Sequence, residues 1–294
     1  MFYFSCKYYI LNLDTCFSFL KIERRLTLSA EIKNFKEIIQ KYDNIVFFGG
    51  AGVSTESGIP DLRSVDGLYH QQYAYPPETI LSHTFYKRNT REFYRFYHNK
   101  MLFPGAKPNA AHLALAKLEA EGKVRAVITQ NIDGLHQAAG SKNVFELHGS
   151  VHRNYCERCG KFFNLDYIMA ASATLSPVST DNQTGTTFPD ANNAACSQDG
   201  IPICDACGGV IKPDVVLYEE GLDDKTLLGA INHIKKAQVL IIGGTSLSVY
   251  PAAGLVDYFS GDKLIVINKT PTPRDSHADL VIQSPIGVVF EKIM

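Results

Sequence analysis

Two Cys-x-x-Cys pairs, Cys156/Cys159 and Cys204/Cys207, constrain this chain more than any other feature. Each pair closes a two-residue knuckle, and two knuckles can present four thiolates tetrahedrally to one zinc ion. The turn residues agree, since Gly160 follows the first pair and Gly208 and Gly209 the second. Residues 160–203 must therefore leave one point and return to it. Ser172 to Gln198 is mostly Ser, Thr, Asn, Ala and Asp, which predicts a surface loop bulging out between the knuckles. Competing readings are a redox Cys-x-x-Cys or four buried thiols. The doubled motif favours zinc, and four thiolates leave no open coordination position, so the expected metal is structural. Cys6, Cys16 and Cys196 complete an odd total of seven cysteines and read as free thiols. This usage points to a reducing, cytoplasmic setting rather than a disulfide framework.

From residue 31 the chain reads as an α/β protein. Ile32, Phe35, Ile38 and Ile39 recur at helical spacing, then the apolar run Ile45 to Phe48 ends in Gly49-Gly50-Ala51-Gly52. Further strands are predicted at Val124–Thr129, Val144–Leu147, Val239–Ile242, Leu264–Ile267 and Leu280–Ile282, separated by helical patterns. Such alternation implies a Rossmann-like, doubly wound parallel sheet. Two regions interrupt it: an aromatic-rich helical stretch at 66–104 and the cysteine region at 153–210. The expected division is a large domain from 30–65, 105–152 and 211–294, with a small inserted domain from the interruptions. Residues 1–29 read as an N-terminal extension without a signal-peptide pattern.

Of the 294 residues, 45% are hydrophobic and 20% charged, enough apolar material for a core and unlike a disordered chain. The formal net charge of -1 lacks the basic footprint of a nucleic-acid binder. No uninterrupted apolar run reaches the length of a membrane-spanning helix.

Gly50-Ala51-Gly52 alone is equally well read as a tight turn or a phosphate cradle, because it departs from the G-x-G-x-x-G pattern. Its sequel is richer: Ser54 to Arg63 packs hydroxyls, a carboxylate and an arginine together. Other strands end in Thr129-Gln130-Asn131-Ile132-Asp133-Gly134-Leu135-His136, in Leu147-His148-Gly149, in Gly243-Gly244-Thr245-Ser246 and in Asn268. Ligands of open parallel sheets bind at that carboxyl edge.

Taken in order, GAGVSTESGIPDLRS, TQNIDGLH, HG, the cysteine pairs, GTSL and the asparagine after a strand resemble the sirtuins, NAD-dependent protein deacylases. The likeness runs from about residue 31 to 290 and is nearest to the bacterial deacetylase type. It implies NAD as co-substrate, one structural zinc, and acetyl-lysine proteins as partners, with no nucleic acid or membrane. It also implies that Gly50, Ala51, Gly52, Thr55, Leu62 and Arg63 border the phosphates, ribose and reaction centre. Gln130 would meet the nicotinamide ribose, Ile132 and Asp133 the nicotinamide, and Thr245, Ser246 and Asn268 the adenosine end. In the family scheme the acyl-lysine oxygen attacks C1′ of that ribose and nicotinamide leaves. His148 is then the implied general base toward a ribose hydroxyl, with Asn131 ordering ribose and water. Val216 and Tyr218 would wall the acyl-lysine tunnel, although alternation alone fits ordinary strand core equally well.

Two positions depart from the family. Leu62 replaces a phenylalanine and keeps an apolar lid with less ring area. Glu219 replaces a glycine. The Tyr-x-x-Arg pair of succinyl-preferring sirtuins is absent, Tyr97 following Tyr94 and Lys100 following Tyr97 as a partial substitute, so acetyl and similar neutral acyl groups are expected. ADP-ribosyl transfer or NAD hydrolysis on the same fold is the alternative activity, and a zinc-ribbon binding module the alternative without catalysis.

Overall fold

Helix α1 (Leu13–Lys41) leads into β1 (Ile45–Gly49), every residue of which is buried. The periodicity places this helix from residue 31, but it begins eighteen positions earlier in a computed structural model that describes residues 13–61, 75–172, 195–197 and 199–294. The aromatic content of the first thirty residues hid that extension. Three short helices follow, α2 (Pro77–Ile80), α3 (His83–Arg88) and α4 (Thr90–Lys100), and then α5 (Ala110–Ala120). β2 (Val124–Thr129), α6 (Leu135–Ala138) and β3 (Val144–Glu146) complete the first half of the large sheet. The small lobe takes β4 (Gly149–Cys156), β5 (Phe162–Phe163), α7 (Leu165–Ser172) and β6 (Ile211–Val215). The chain returns through α8 (Asp224–Lys236), β7 (Val239–Gly243), β8 (Lys263–Ile267), β9 (Leu280–Ile282) and α9 (Ile286–Ile293).

The large sheet is wholly parallel, in the order β3-β2-β1-β7-β8-β9. Strand order therefore reverses between β1 and β7, which makes a crevice at their carboxyl ends. Alternate residues of β1 serve opposite faces. Ile45 and Phe47 pack with Phe35, Leu115 and Phe290 under α1, α5 and α9. Val46 and Phe48 pack with Ile234, Leu255 and Val256 on the other side. Burial on both faces explains why β1 and β7 read as unbroken apolar runs.

A second, three-stranded sheet in the order β5-β4-β6 is antiparallel. β4 and β6 pair although the sequence-based boundaries at 152 and 210 pass through or beside them, so the small sheet is rooted in the segment that carries His148. The aromatic helices and the cysteine region share one core, in which Tyr86, Phe93, Tyr94 and Tyr97 join Phe163, Ile168, Cys156 and Cys204. Phe93 stacks on Tyr97 with ring centroids 5.6 Å apart.

Candidate active site

The four cysteines converge. All four Sγ atoms lie within 4.8 Å of one another, with Cys156 to Cys207 at 3.4 Å and Cys159 to Cys204 at 3.7 Å. A tetrahedron of zinc–thiolate bonds has edges of about 3.8 Å, so the donor set fits zinc. Local geometry explains the glycines: Gly160 and Gly208 turn each knuckle at φ 72° and 69°. A Cβ on Gly209 would stand 2.9 Å from the Cys156 sulfur. Lys161 pairs with Asp205 at 2.6 Å, and Arg158 donates to the Cys207 carbonyl at 2.7 Å, so each knuckle also grips the other. Cys196 stands outside the cluster.

At the reversal point the turns after β1 and β7 interlock. Gly52 N–H donates to the Gly244 carbonyl at 2.8 Å, and a Cβ on Gly52 would meet that backbone at 2.9 Å. A Cβ on Gly50 would meet Thr245 at 2.8 Å. Thr55 donates through its hydroxyl to the Gly52 carbonyl at 3.1 Å, tightening the same turn beside the exposed Ala51. Gln130, following β2, donates to Thr245 Oγ1 at 3.2 Å, so three strand ends meet. Ser246 and Asn268 stand at the same edge, bonded to Ser248 and Thr270 respectively. Leu62 and Arg63 lie outside the described residues.

Ser54 links the two predicted motifs. Its buried hydroxyl donates to Asp133 Oδ2 at 2.7 Å and accepts from Asn131 Nδ2 at 3.0 Å. Asp133 Oδ1 in turn accepts from Leu135 N–H at 2.9 Å, opening α6. Asn109 caps α5 through Ala111 N–H while its amide donates to the Val53 carbonyl at 2.7 Å and Ser57 Oγ at 3.0 Å. From the far side Glu56 accepts from Gly287 N–H, at the start of α9, at 2.6 Å. Sequence reasoning assigned none of these three positions a site role; the hydroxyl and carboxylate were visible in the motif, but their partners lie far along the chain.

His148 follows β3 and is half-buried. Its Nδ1 lies 2.9 Å from the Gln130 carbonyl oxygen. A carbonyl can only accept, so Nδ1 holds the proton and Nε2 the lone pair. Burial pushes this imidazole below the ordinary histidine range, opposed by the Gln130 carbonyl. The ring is thus a neutral base near pH 7. Val216 N–H donates to the His148 carbonyl at 3.0 Å, and Tyr218 exchanges backbone bonds with Leu81 and His83. Burial alternates along 211–218, leaving Val216 and Tyr218 off the packed side. Ile132 packs against the small-lobe core, and His152 Nε2 donates to the Asp133 carbonyl at 3.0 Å.

The Sir2 family pattern matches residues 50–251, which hold the glycine turn, His148 and all four clustered cysteines. The chain belongs to the Sir2 family. An NAD-dependent protein deacetylase of Clostridium acetobutylicum is 53% identical over 271 residues, 92% of this sirtuin and 100% of that protein. One from Staphylococcus aureus is 40% identical over 90% of this chain and 98% of its own. Among solved structures, a Sir2 enzyme holding a deacetylated peptide and 3′-O-acetyl-ADP-ribose superposes with a TM-score of 0.75. It is 36% identical, across 90% of this chain and 97% of the other. A Sir2 enzyme bound to acetylated peptide gives 0.72 at 35% identity, over 90% and 97%.

Proposed function

We propose that this sirtuin is a cytoplasmic NAD-dependent protein-lysine deacetylase. It would convert NAD and an acetyl-lysine protein into nicotinamide, 2′-O-acetyl-ADP-ribose and free lysine. The observation that carries the reading is His148: a neutral imidazole with Nε2 unprotonated, whose own carbonyl bonds the segment leading to Val216. Base and acyl-lysine wall are thereby joined through one backbone contact.

The groups at the sheet edge suit a dinucleotide. The hydroxyls of Thr55, Thr245 and Ser246 can donate to phosphate, together with the Arg63 guanidinium, while Gly50, Ala51 and Gly52 offer close backbone approach. Asn268 would hold the adenosine end and Gln130 the nicotinamide ribose. Asp133, steadied by Ser54, would accept from the carboxamide beside Ile132, with Leu62 as an apolar cover. NAD supplies the electrophilic ribose carbon and the nicotinamide leaving group. His148 Nε2 takes a proton from a ribose hydroxyl, and Asn131, fixed by Ser54, orients ribose and water. The peptide would add beside β6, an edge strand of the small sheet, with Val216 and Tyr218 flanking the lysine stem. Zinc, held by Cys156, Cys159, Cys204 and Cys207, would brace the small lobe without touching substrate. Tyr97, fully buried in the aromatic core three positions after Tyr94, offers no cation to an acidic acyl chain. This supports a preference for acetyl over succinyl. No partner other than acylated protein is proposed; none of the described helices is long and apolar enough to cross a membrane.

The test is an assay with NAD and acetyl-, propionyl-, butyryl- and succinyl-lysine peptides, products read by mass spectrometry. We expect 2′-O-acetyl-ADP-ribose formation that depends on acetyl-peptide and falls by roughly a hundredfold or more in His148→Tyr. Free ADP-ribose formed regardless of peptide would indicate NAD hydrolysis instead.

A further inference from the structure

β4 and β6 lose register beside the active site. Ser150 faces Asp214, yet Asn154 faces the adjoining residue, Pro213. Val151, His152 and Arg153 are therefore pushed out of the ladder as a bulge, a feature that re-aims side chains near active sites. Each of the three grips a different part of the site. Val151 N–H donates to the Ile132 carbonyl at 3.0 Å, and His152 Nε2 to the Asp133 carbonyl at 3.0 Å. Arg153 forks: Nε donates to Asp214 Oδ2 at 2.7 Å and Nη1 to Glu146 Oε2 at 2.6 Å. The Glu146 side chain is only 7% exposed, so its charge depends on this partner.

The placement of the two carboxylates gives the fork its meaning. Glu146, on β3 of the large sheet, stands two residues before His148. Asp214, on β6 of the small sheet, stands two residues before Val216. One guanidinium thus bridges the segment that delivers the base and the segment proposed to receive the peptide, and the two meet again where Val216 N–H bonds the His148 carbonyl. Two nitrogens in a rigid fork can fix both carboxylates at once, which the single ammonium of lysine does far less well.

We infer that Arg153 is a positioning residue that sets the peptide-binding segment against His148 and so governs affinity for the acyl-peptide, not for NAD. This rests on the deacetylase reading above. Arg153 acts through Asp214 on Val216 and through Glu146 on His148.

The decisive variants are Arg153→Lys and Asp214→Asn, with the double variant. Lysine still neutralises buried Glu146, and Asp214 is half-exposed, so both single variants should fold. Acetyl-peptide Kd, by fluorescence anisotropy with NAD absent, and steady-state KM are both measured. Each single variant is expected to raise peptide Kd and KM about tenfold, the size of one lost charge-assisted hydrogen bond. KM for NAD should stay within about twofold. The double variant should be no worse than either single one, because both remove the same bridge. A general packing role would instead lower thermal stability and leave peptide Kd unchanged, and that result overturns the inference. Additive single effects, or an equal rise in the KM for NAD, overturn it as well. If the parent protein is active and only the variants fail to respond, Arg153 alone loses its role. If the parent neither binds nor turns over acetyl-peptide, the deacetylase reading falls and this inference with it.

Discussion

His112 and His136 are two buried rings 4.7 Å apart that the proposed chemistry does not use. His112 Nδ1 accepts from Asn109 N–H, whereas His112 Nε2 and both His136 nitrogens have no partner among the described residues. Burial depresses both rings, His112 from 6.5 to about 4 despite the Asp133 carboxylate, and His136 to about 3 with added repulsion from His112. The unfolded chain therefore binds more protons below pH 6.5, and stability must fall as pH drops from there toward 4, with no such slope above it. Each histidine contributes about 1.4 kcal/mol per pH unit inside that window. His136→Phe, which keeps a ring beside Phe47, should remove one proton from the slope of urea-unfolding free energy between pH 6 and about 4.5. An unchanged slope would show that His136 is charged or exposed. The sequence displayed these histidines openly, but nothing local announced their burial. Ser54 and His152 were hidden in the same way: Ser54 bonds Asp133 79 positions away, and His152 reaches back 19 positions to the same residue.

Glu219 shows how an element can absorb an apparent departure. It sits four residues beyond β6 at φ 77°, a left-handed conformation that favours glycine, the residue the family resemblance implies there. Its carboxylate accepts from Thr84 N–H at 2.8 Å in the first turn of α3, and the Thr84 side chain together with this backbone bond holds the carboxyl below its usual range. Backbone strain and helix-end stabilisation thus oppose one another. Glu219→Gly should melt close to the parent, since it loses both. Glu219→Ala keeps the strain without the bond and should melt about 2–4 °C lower, measured by calorimetry. Equal melting of the two variants would refute this balance. Among elements, the strands of the large sheet could be read directly, as most are apolar runs ended by glycine or polar residues. The small sheet could not, because the bulge at Val151–Arg153 breaks the alternation of β4, and its pairing with β6 spans an interval of changing composition.

The whole molecule joins two lobes through β4, whose first residue follows His148 and whose last is one of the four clustered cysteines. Cys156 and Cys204 belong to the same core as the aromatic helices, so loss of zinc should loosen the entire small lobe. We expect about one zinc per chain. Its removal by chelation should abolish acetyl-peptide turnover while most far-UV circular dichroism survives, because the six-stranded sheet has separate cores. Full activity in protein shown to be metal-free would contradict this coupling. Strand–helix alternation implied a parallel sheet, and right-handed crossovers limited its topologies, but the reversal between β1 and β7 became visible only in three dimensions. The loop proposed to receive NAD is tethered to the first turn of α9 by the Glu56–Gly287 bond, and Phe290 of the same helix is wedged against Phe35 and Phe47. The chain's closing helix is accordingly a keystone: trimming it would unseat the nucleotide's doorway from behind, though no residue of that helix faces the nucleotide in this proposal.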